Sequence, residues 1–159
     1  MKLLHVLAVS AAFAAPMASA NTMMIKDVAV ETDVSAIANE AAAKYWGNLA
    51  TDLQAAILSR VQDRIKDDGV TVGVDINEVS LANSFQTTLG VADSVLVGVI
   101  RITNAEGTQL DTYELSVSIE IANRYLKDGV APASSFTDSP EHYAAMVDAF
   151  AESVVERLK

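Results

Sequence analysis

Apolar residues recur at two different spacings along this chain, and that change of spacing sets what the chain can fold into. In the range 70–77, valine and isoleucine alternate with small or polar residues, a pattern typical of a strand with one buried face. In the range 46–65, large apolar residues recur every three or four positions, which places them along one side of a helix. A chain with both patterns is expected to bury a helix stripe against a sheet face.

Read along the whole chain, the spacings predict the order β-α-β-β-β-α. Gly47, inside the first predicted helix, indicates a bend there or a fresh start near Asn48. Gly69 is predicted to end that helix as a left-handed cap residue. The predicted fold is α+β, a two-layer sandwich of a mostly antiparallel four-stranded sheet with two helices on one face. The strands are predicted at 22–31, 70–81, 94–103 and 111–122, and the helices at 36–66 and from Ser139 to Leu158.

The first twenty residues have the three parts of a secretory signal peptide. Lys2 gives a positive start, residues 3–15 are an apolar run, and a small-residue cleavage site ends at Ala20. We therefore expect cleavage after Ala20, export to the periplasm, and a single domain over residues 21–159. No later stretch approaches the ~20 apolar residues of a membrane-spanning helix. The chain has no cysteine, so neither a lipid anchor on cysteine nor a disulfide is expected.

The charge balance excludes two classes of partner. The chain has 11 basic and 21 acidic residues, a net charge of −10. Such a surface repels phosphates and anionic headgroups, so binding to nucleic acid or docking on acidic lipid is not expected. The acidic residues are scattered rather than grouped in runs, and acidity alone also keeps a small exported protein soluble.

Signals for catalysis are weak throughout the sequence. His142 is the one histidine outside the leader, and neither a nucleophile elbow nor a phosphate-binding glycine loop is present. A zinc site would need carboxylates for most of its ligands. We therefore predict no enzymatic activity, no cofactor and no metal. If the polar faces of the second and fourth strands coincide, a solvated cluster with cross-strand pairing is expected among Asp75, Arg101, Glu114 and Glu120.

The third predicted strand is apolar on both faces for several residues, which is unusual for a strand buried on one side only. One face, with Gly98 allowing a close approach, is expected to meet the helices: Leu96, Gly98, Ile100 and Ile102. The other face is a candidate seam for a homodimer or for an envelope protein partner: Val95, Val97, Val99 and Arg101. The alternative is that these valines simply suit a central strand and are half covered by neighbours.

Two further surfaces remain open as alternatives. The first strand begins close to the cleavage site, so its edge is a candidate for pairing with a strand of a partner. The loops 82–93 and 123–139 hold Phe85, Tyr125 and Phe136. These aromatic side chains either line a groove for a small molecule, as in a binding protein or a minor hydrolase, or only seal the ends of the core.

The layout resembles a broad group of small envelope proteins. It is carried by Asp52-Leu53-x-Ala55-Ala56-Ile57, by Asp67-Asp68-Gly69, and by Phe150-Ala151-x-x-Val154-Val155-x-x-Leu158 in the predicted last helix. The group includes the lipopolysaccharide-assembly lipoprotein and auxiliary lipoproteins of transport systems. The resemblance implies a non-enzymatic accessory of envelope assembly or transport that works by contact with an envelope protein. Its lipoprotein members carry cysteine at the cleavage site, where this chain has Asn21, which implies a free periplasmic form.

Overall fold

A computed structural model describes residues 22–32, 40–77, 94–132 and 139–159. Four strands form one sheet in the order β1-β2-β3-β4; β1 runs parallel to β2, and the other neighbours are antiparallel. The predicted α+β class and the mostly antiparallel sheet are confirmed, and the first strand lies beside β2. The strands are β1 (Ile25–Thr32), β2 (Val70–Ile76), β3 (Ser94–Thr103) and β4 (Gln109–Ser118), and the helices are α1 (Glu40–Trp46), α2 (Leu49–Arg60) and α3 (Pro140–Glu156).

The hydrophobic core lies between one face of this sheet and the helices. Helix α2 packs over β1 and against α3, and α3 packs over β3 and β4. Alternate strand residues face the helices, as the period of two predicts. The largest fully buried side chains are Trp46, Phe150, Ile25, Leu49, Leu53, Ile57, Ile76, Leu96, Ile100, Ile102 and Met146.

The long predicted helix is two helices within the described residues. Helix α1 ends at Trp46, and α2 begins at Leu49, so the chain starts afresh at Asn48 rather than bending at Gly47. After α2 comes a short 3-10 turn at Gln62–Arg64, and Ile65 then makes a bridge to Ile25. The prediction that Ile65 lies on the buried helical stripe is therefore wrong, and its side chain is 45% exposed.

The fourth strand is shorter than predicted. Strand β4 ends at Ser118, and residues 119–122 form a single turn of helix. The Ser118 hydroxyl accepts a hydrogen bond from the Ile121 N–H at 3.3 Å, which caps that turn. Ile119 and Ile121 continue the alternation of β4 in the sequence, but a helix cap overrides it.

Other local signals agree with the structure, with one exception. The turn after β3 is closed by a hydrogen bond from the Gly107 N–H to the Asn104 carbonyl at 3.0 Å, and Gly107 has a φ of 81°. The Ser139 hydroxyl caps α3 by accepting from the His142 N–H at 3.2 Å. Gly69 is the exception: among the described residues only Gly107 and Gly129 have a positive φ, so Gly69 is not a left-handed cap.

Side-chain hydrogen bonds fix α2 against α3. Arg60 donates to Asp148 Oδ1 at 2.9 Å and to Glu152 Oε2 at 3.1 Å. Farther along the same helix pair, the Tyr143 hydroxyl donates to Asp52 Oδ2 at 2.7 Å. Burial, and then the hydrogen bond to Asp52, raise the pKa of Tyr143 well above its usual range.

The raised pKa of Tyr143 predicts an alkaline weakness of the fold. The folded protein keeps this proton at a pH where the unfolded chain, with an ordinary pKa near ~10, has released it. The contribution of Tyr143 to the free energy of unfolding is therefore complete below pH ~10 and falls above it. Above that pH, the free energy of unfolding falls by at most about 1.4 kcal/mol per pH unit on account of Tyr143. The fall is smaller here because the ring is partly exposed.

Tyr143→Phe tests this dependence. At neutral pH the variant is expected to lose about 1 kcal/mol, because Asp52 loses a hydrogen-bond donor. Between pH 9 and 11, a range that spans the tyrosine pKa of ~10 in the unfolded chain, the free energy of unfolding of the variant should fall less than that of the natural chain. Urea unfolding at several pH values measures both, and equal alkaline losses in the two proteins would contradict the assignment.

Candidate interaction face

The second face of the sheet carries no helix in the described part of the chain. Strand register and side-chain alternation place the residues between the core positions on this side. We call it the open face. Its members are Asp27, Ala29, Glu31, Thr71, Gly73, Asp75, Val97, Val99, Arg101, Thr103, Thr112, Glu114 and Ser116.

The valines of β3 lie on the open face, as the alternation predicts. Val97 and Val99 are half-buried and Arg101 is exposed, whereas the residues between them point into the core. Val95 belongs to the same strand, but its side chain lies outside the described residues. Gly98 lies on the core face, where an added Cβ would be 3.1 Å from Phe150 Cζ. The sequence predicts the close approach of a helix at this glycine, and the helix is α3.

One row across the open face is rich in carboxylates. Strand register aligns Glu31 of β1, Asp75 of β2, Val99 of β3 and Glu114 of β4. We call these four residues the acidic row. Arg101 lies two residues after Val99 on β3. It donates to Asp75 Oδ2 at 3.4 Å, and both side chains are 49% exposed. Such a solvated ion pair contributes at most about 1 kcal/mol. Within the described ranges, Glu31 and Glu114 form no ion pair.

Part of the predicted charged cluster is wrong, and one member was missed. Glu120 lies in the helical turn after β4, 4.0 Å from Arg124, and so is not on the open face. Glu31 belongs to the face instead. No spacing in the sequence indicates it, because its place depends on the parallel register between β1 and β2.

The outer strands of the sheet are partly closed to strand addition. The Val28 N–H donates to Asp27 Oδ1 at 2.8 Å, and Gln54 Nε2 donates to the Val28 carbonyl at 2.6 Å. On β4, the Thr112 N–H donates to Asp111 Oδ1 at 2.8 Å. Side chains thus engage backbone groups that an added strand would need, a known protection of sheet edges. This weakens the hypothesis that the edge of β1 pairs with a partner.

Removing this protection is expected to expose the edge of β1. Asp27→Ala/Gln54→Ala deletes both side-chain partners of Val28, and we expect a loss of about 1–2 kcal/mol in the free energy of unfolding. Association that depends on protein concentration should appear in sedimentation equilibrium. The matched control is Gln62→Ala/Asp63→Ala, which removes the same residue types at exposed positions. Equal behaviour of the two double variants would contradict the protective role.

A small cleft lies where α3 begins. It has a volume of about 210 Å³ and is lined by Tyr125, Lys127, Pro140, Glu141, Ala144, Ala145 and Asp148. Tyr125 was expected at a groove from the sequence, while Phe85 and Phe136 lie outside the described residues. Pockets for drug-sized ligands usually measure ~300–1,000 Å³, so this cleft would suit only a small molecule.

His142 lies in the first turn of α3. Its Nδ1 is 2.6 Å from the Ser139 hydroxyl, so the imidazole takes part in the helix cap. In the residues that the structure covers, no group of three or more histidine, aspartate or glutamate side chains could hold a metal ion. Over the same residues, no helix has the length and apolar character needed to cross a membrane.

The open face is the principal candidate site, and the cleft is the second. The valine pair, the acidic row and the single arginine of the open face come from β1, β2, β3 and β4, so this site depends on the whole sheet. Comparisons of the chain with protein-family models, with curated proteins and with solved structures found no match.

Proposed function

We propose that this protein is a non-enzymatic periplasmic accessory of envelope assembly or transport, and that it works by binding a partner protein through the open face. The observation that carries the proposal is the one-sided sheet. Helices α2 and α3 cover one face, while Val97 and Val99 stand half-buried on the other. Apolar residues inside a polar rim are the usual composition of a protein interface.

The size of the face supports a transient contact. Strands ~4.8 Å apart and ~3.3 Å per residue make four strands of seven residues a surface of roughly 300–400 Å². Stable complexes bury about 800 Å² on each partner, so this face fits a weak or short-lived complex. Export to the periplasm is supported by the apolar leader with its cleavage site at Ala20.

Site-specific photocrosslinking tests the proposal in cells of the source organism. A benzophenone amino acid is placed at Val97 in one variant and at Ala55 in a second. Ala55 is the matched control because it is exposed on α2, the helix that covers the other face of the sheet. We expect a crosslinked partner from position 97 that is absent from position 55, to be identified by mass spectrometry.

Two crosslinking results would contradict the proposal. Equal crosslinking from positions 97 and 55, or none from position 97, would reject the open face as a docking surface. Val97→Lys should also abolish the crosslink formed by a benzophenone at Thr112, which lies on the same face. A folded Val97→Lys variant that still crosslinks there would reject the valine pair as the centre of the contact.

The second candidate function, a small-molecule binding protein or minor hydrolase, is favoured by the cleft beside Tyr125. Lys127, Glu141 and Asp148 bring both signs of charge to its lining. A thermal-shift screen of small zwitterionic metabolites, with Tyr125→Ala as the comparison, tests it. A stabilising compound that loses its effect in Tyr125→Ala would favour this function over the proposed one.

A further inference from the structure

We infer that the partner of the open face is a basic protein surface, with lysine or arginine side chains around an apolar residue that lies on Val97 and Val99. This inference rests on the proposed function and specifies the chemistry of the partner. It is carried by the half-buried valine pair on the open face together with the charge of the acidic row. Neither feature alone would identify an occupant.

Within the described part of the structure, the acidic row carries more negative charge than the neighbouring basic side chains neutralise. Glu31, Asp75 and Glu114 lie in register across the sheet, with outer strands about 15 Å apart. Arg101 is the nearby cation, and it pairs with Asp75 at 3.4 Å. Basic groups of a partner would therefore find two exposed carboxylates, Glu31 and Glu114, without ion-pair partners in the described part of the structure.

The same charge argues against the other occupants of an apolar face. A second copy docked face to face would bring two acidic rows together, and like charges at an interface are destabilising. Anionic lipid and nucleic acid are repelled for the same reason, and the net charge of −10 strengthens this at longer range. A basic protein is attracted by both the row and the whole chain.

The valine pair and the sheet edges set how the partner approaches. The backbone groups of Val28 and Thr112 are engaged by side chains, which disfavours an added strand at those points. A partner is thus expected to lie on the face, with apolar contact at Val97 and Val99 and charge pairs around it. Charges of this kind mainly raise the association rate, and their effect weakens as salt is added.

The test uses isotope-labelled protein, residues 21–159, and two synthetic probes. One is a short lysine-rich peptide with a central leucine; the other has glutamate in place of each lysine. Amide shifts are followed at low and high salt. We expect the lysine peptide alone to shift amides of the open face, with weaker binding at high salt. Shifts that map elsewhere, no binding, or equal binding of the glutamate peptide would overturn the inference.

A charge-matched pair of variants separates the acidic row from net charge. Glu31→Gln/Asp75→Asn/Glu114→Gln removes the carboxylates of the row. Asp63→Asn/Asp67→Asn/Asp68→Asn removes as many exposed carboxylates between α2 and β2. We expect the first variant to weaken binding of the lysine peptide about fivefold, because several modest charge pairs are lost together. Equal weakening in both variants would overturn the inference by showing that net charge alone attracts the peptide.

The two proposals fail in distinguishable ways. In one outcome, a partner crosslinks specifically at position 97 but binds the variant without the row carboxylates as tightly as it binds the natural chain. That outcome overturns the basic partner and leaves the proposed function in place. The absence of any position-specific crosslink at 97 overturns the proposed function itself, whatever the peptides do.

Discussion

Gly69→Ala is expected to lower the free energy of unfolding by about 3 kcal/mol, because the new methyl group has no space. A Cβ at this position would lie 2.5 Å from the Ile25 carbonyl carbon and 2.6 Å from the Lys26 nitrogen. These are backbone atoms, so the clash cannot be relieved by a side-chain rotation. The start of β1 or the turn before β2 must move. Hydrogen bonds at 2.8 Å from Lys66 to the Ile25 carbonyl and from Val70 to the Met24 carbonyl would then be strained.

Gly73→Ala is the matched control for this prediction. Gly73 lies in β2 on the open face, and its nearest neighbour to an added Cβ is the Arg101 carbonyl oxygen at 3.7 Å, an ordinary contact. Alanine there is expected to be neutral or to stabilise by about 0.5 kcal/mol, because glycine has more conformational freedom to lose on folding. Urea unfolding compares the two variants. A loss below about 1 kcal/mol in Gly69→Ala would contradict the packing argument.

Gly98→Ala is expected to cost about 2 kcal/mol, through crowding against two core side chains and against the Asp75 carbonyl oxygen, which an added Cβ would meet at 3.2 Å. An added Cβ would lie 2.8 Å from Ile76 Cδ1 and 3.1 Å from Phe150 Cζ. Both of these side chains are almost fully buried, so neither has free space to rotate into. The second contact joins β3 to α3, and the substitution therefore tests the fit between the two layers.

A double variant separates this crowding from other effects of the glycine. Ile76→Val removes the Cδ1 atom and alone should cost about 1 kcal/mol. Combined with Gly98→Ala, it makes room for the new methyl group. The double variant should therefore lose at least about 1 kcal/mol less than the sum of the single variants. Simple additivity in urea unfolding would show that the contact with Ile76 is not the source of the cost.

Much of the fold could be predicted because its signals are local. Alternation in β2 is strict, and Ser139 with Pro140 marks the start of α3 as the cap rules require. The errors arose where a local pattern fits two structures. Ile119 and Ile121 extend the alternation of β4 in the sequence, but the segment forms a helical turn that the Ser118 hydroxyl caps. Gly69 resembles a helix cap in sequence. The structure instead requires glycine there because the backbone of Ile25, far away along the chain, leaves no space for a Cβ atom.

The candidate site was predictable only within one strand. Alternation alone places Val97, Val99 and Arg101 on a common face. The acidic row needs the register of three strand pairs, and register between β1 and β2 is set by packing rather than by any motif. Glu31 therefore has no signal of its own in the sequence. Spacing could not reveal the protected Val28 carbonyl either, because Gln54 reaches it from a different element.

The hydrogen bonds at the Leu158 carbonyl have a consequence for the order of the elements. This carbonyl accepts from the Met23 N–H at 3.1 Å and from Arg64 Nη1 at 3.0 Å, so the segment before β1 touches the segment after α3. A short linker could therefore join Lys159 to Thr22, and the chain could be opened instead at the exposed turn between Ala105 and Glu106. In such a circular permutant the hairpin would be cut, yet β1 and α3 would be covalently tied. We therefore expect the architecture of this protein to tolerate a chain that begins elsewhere than at β1.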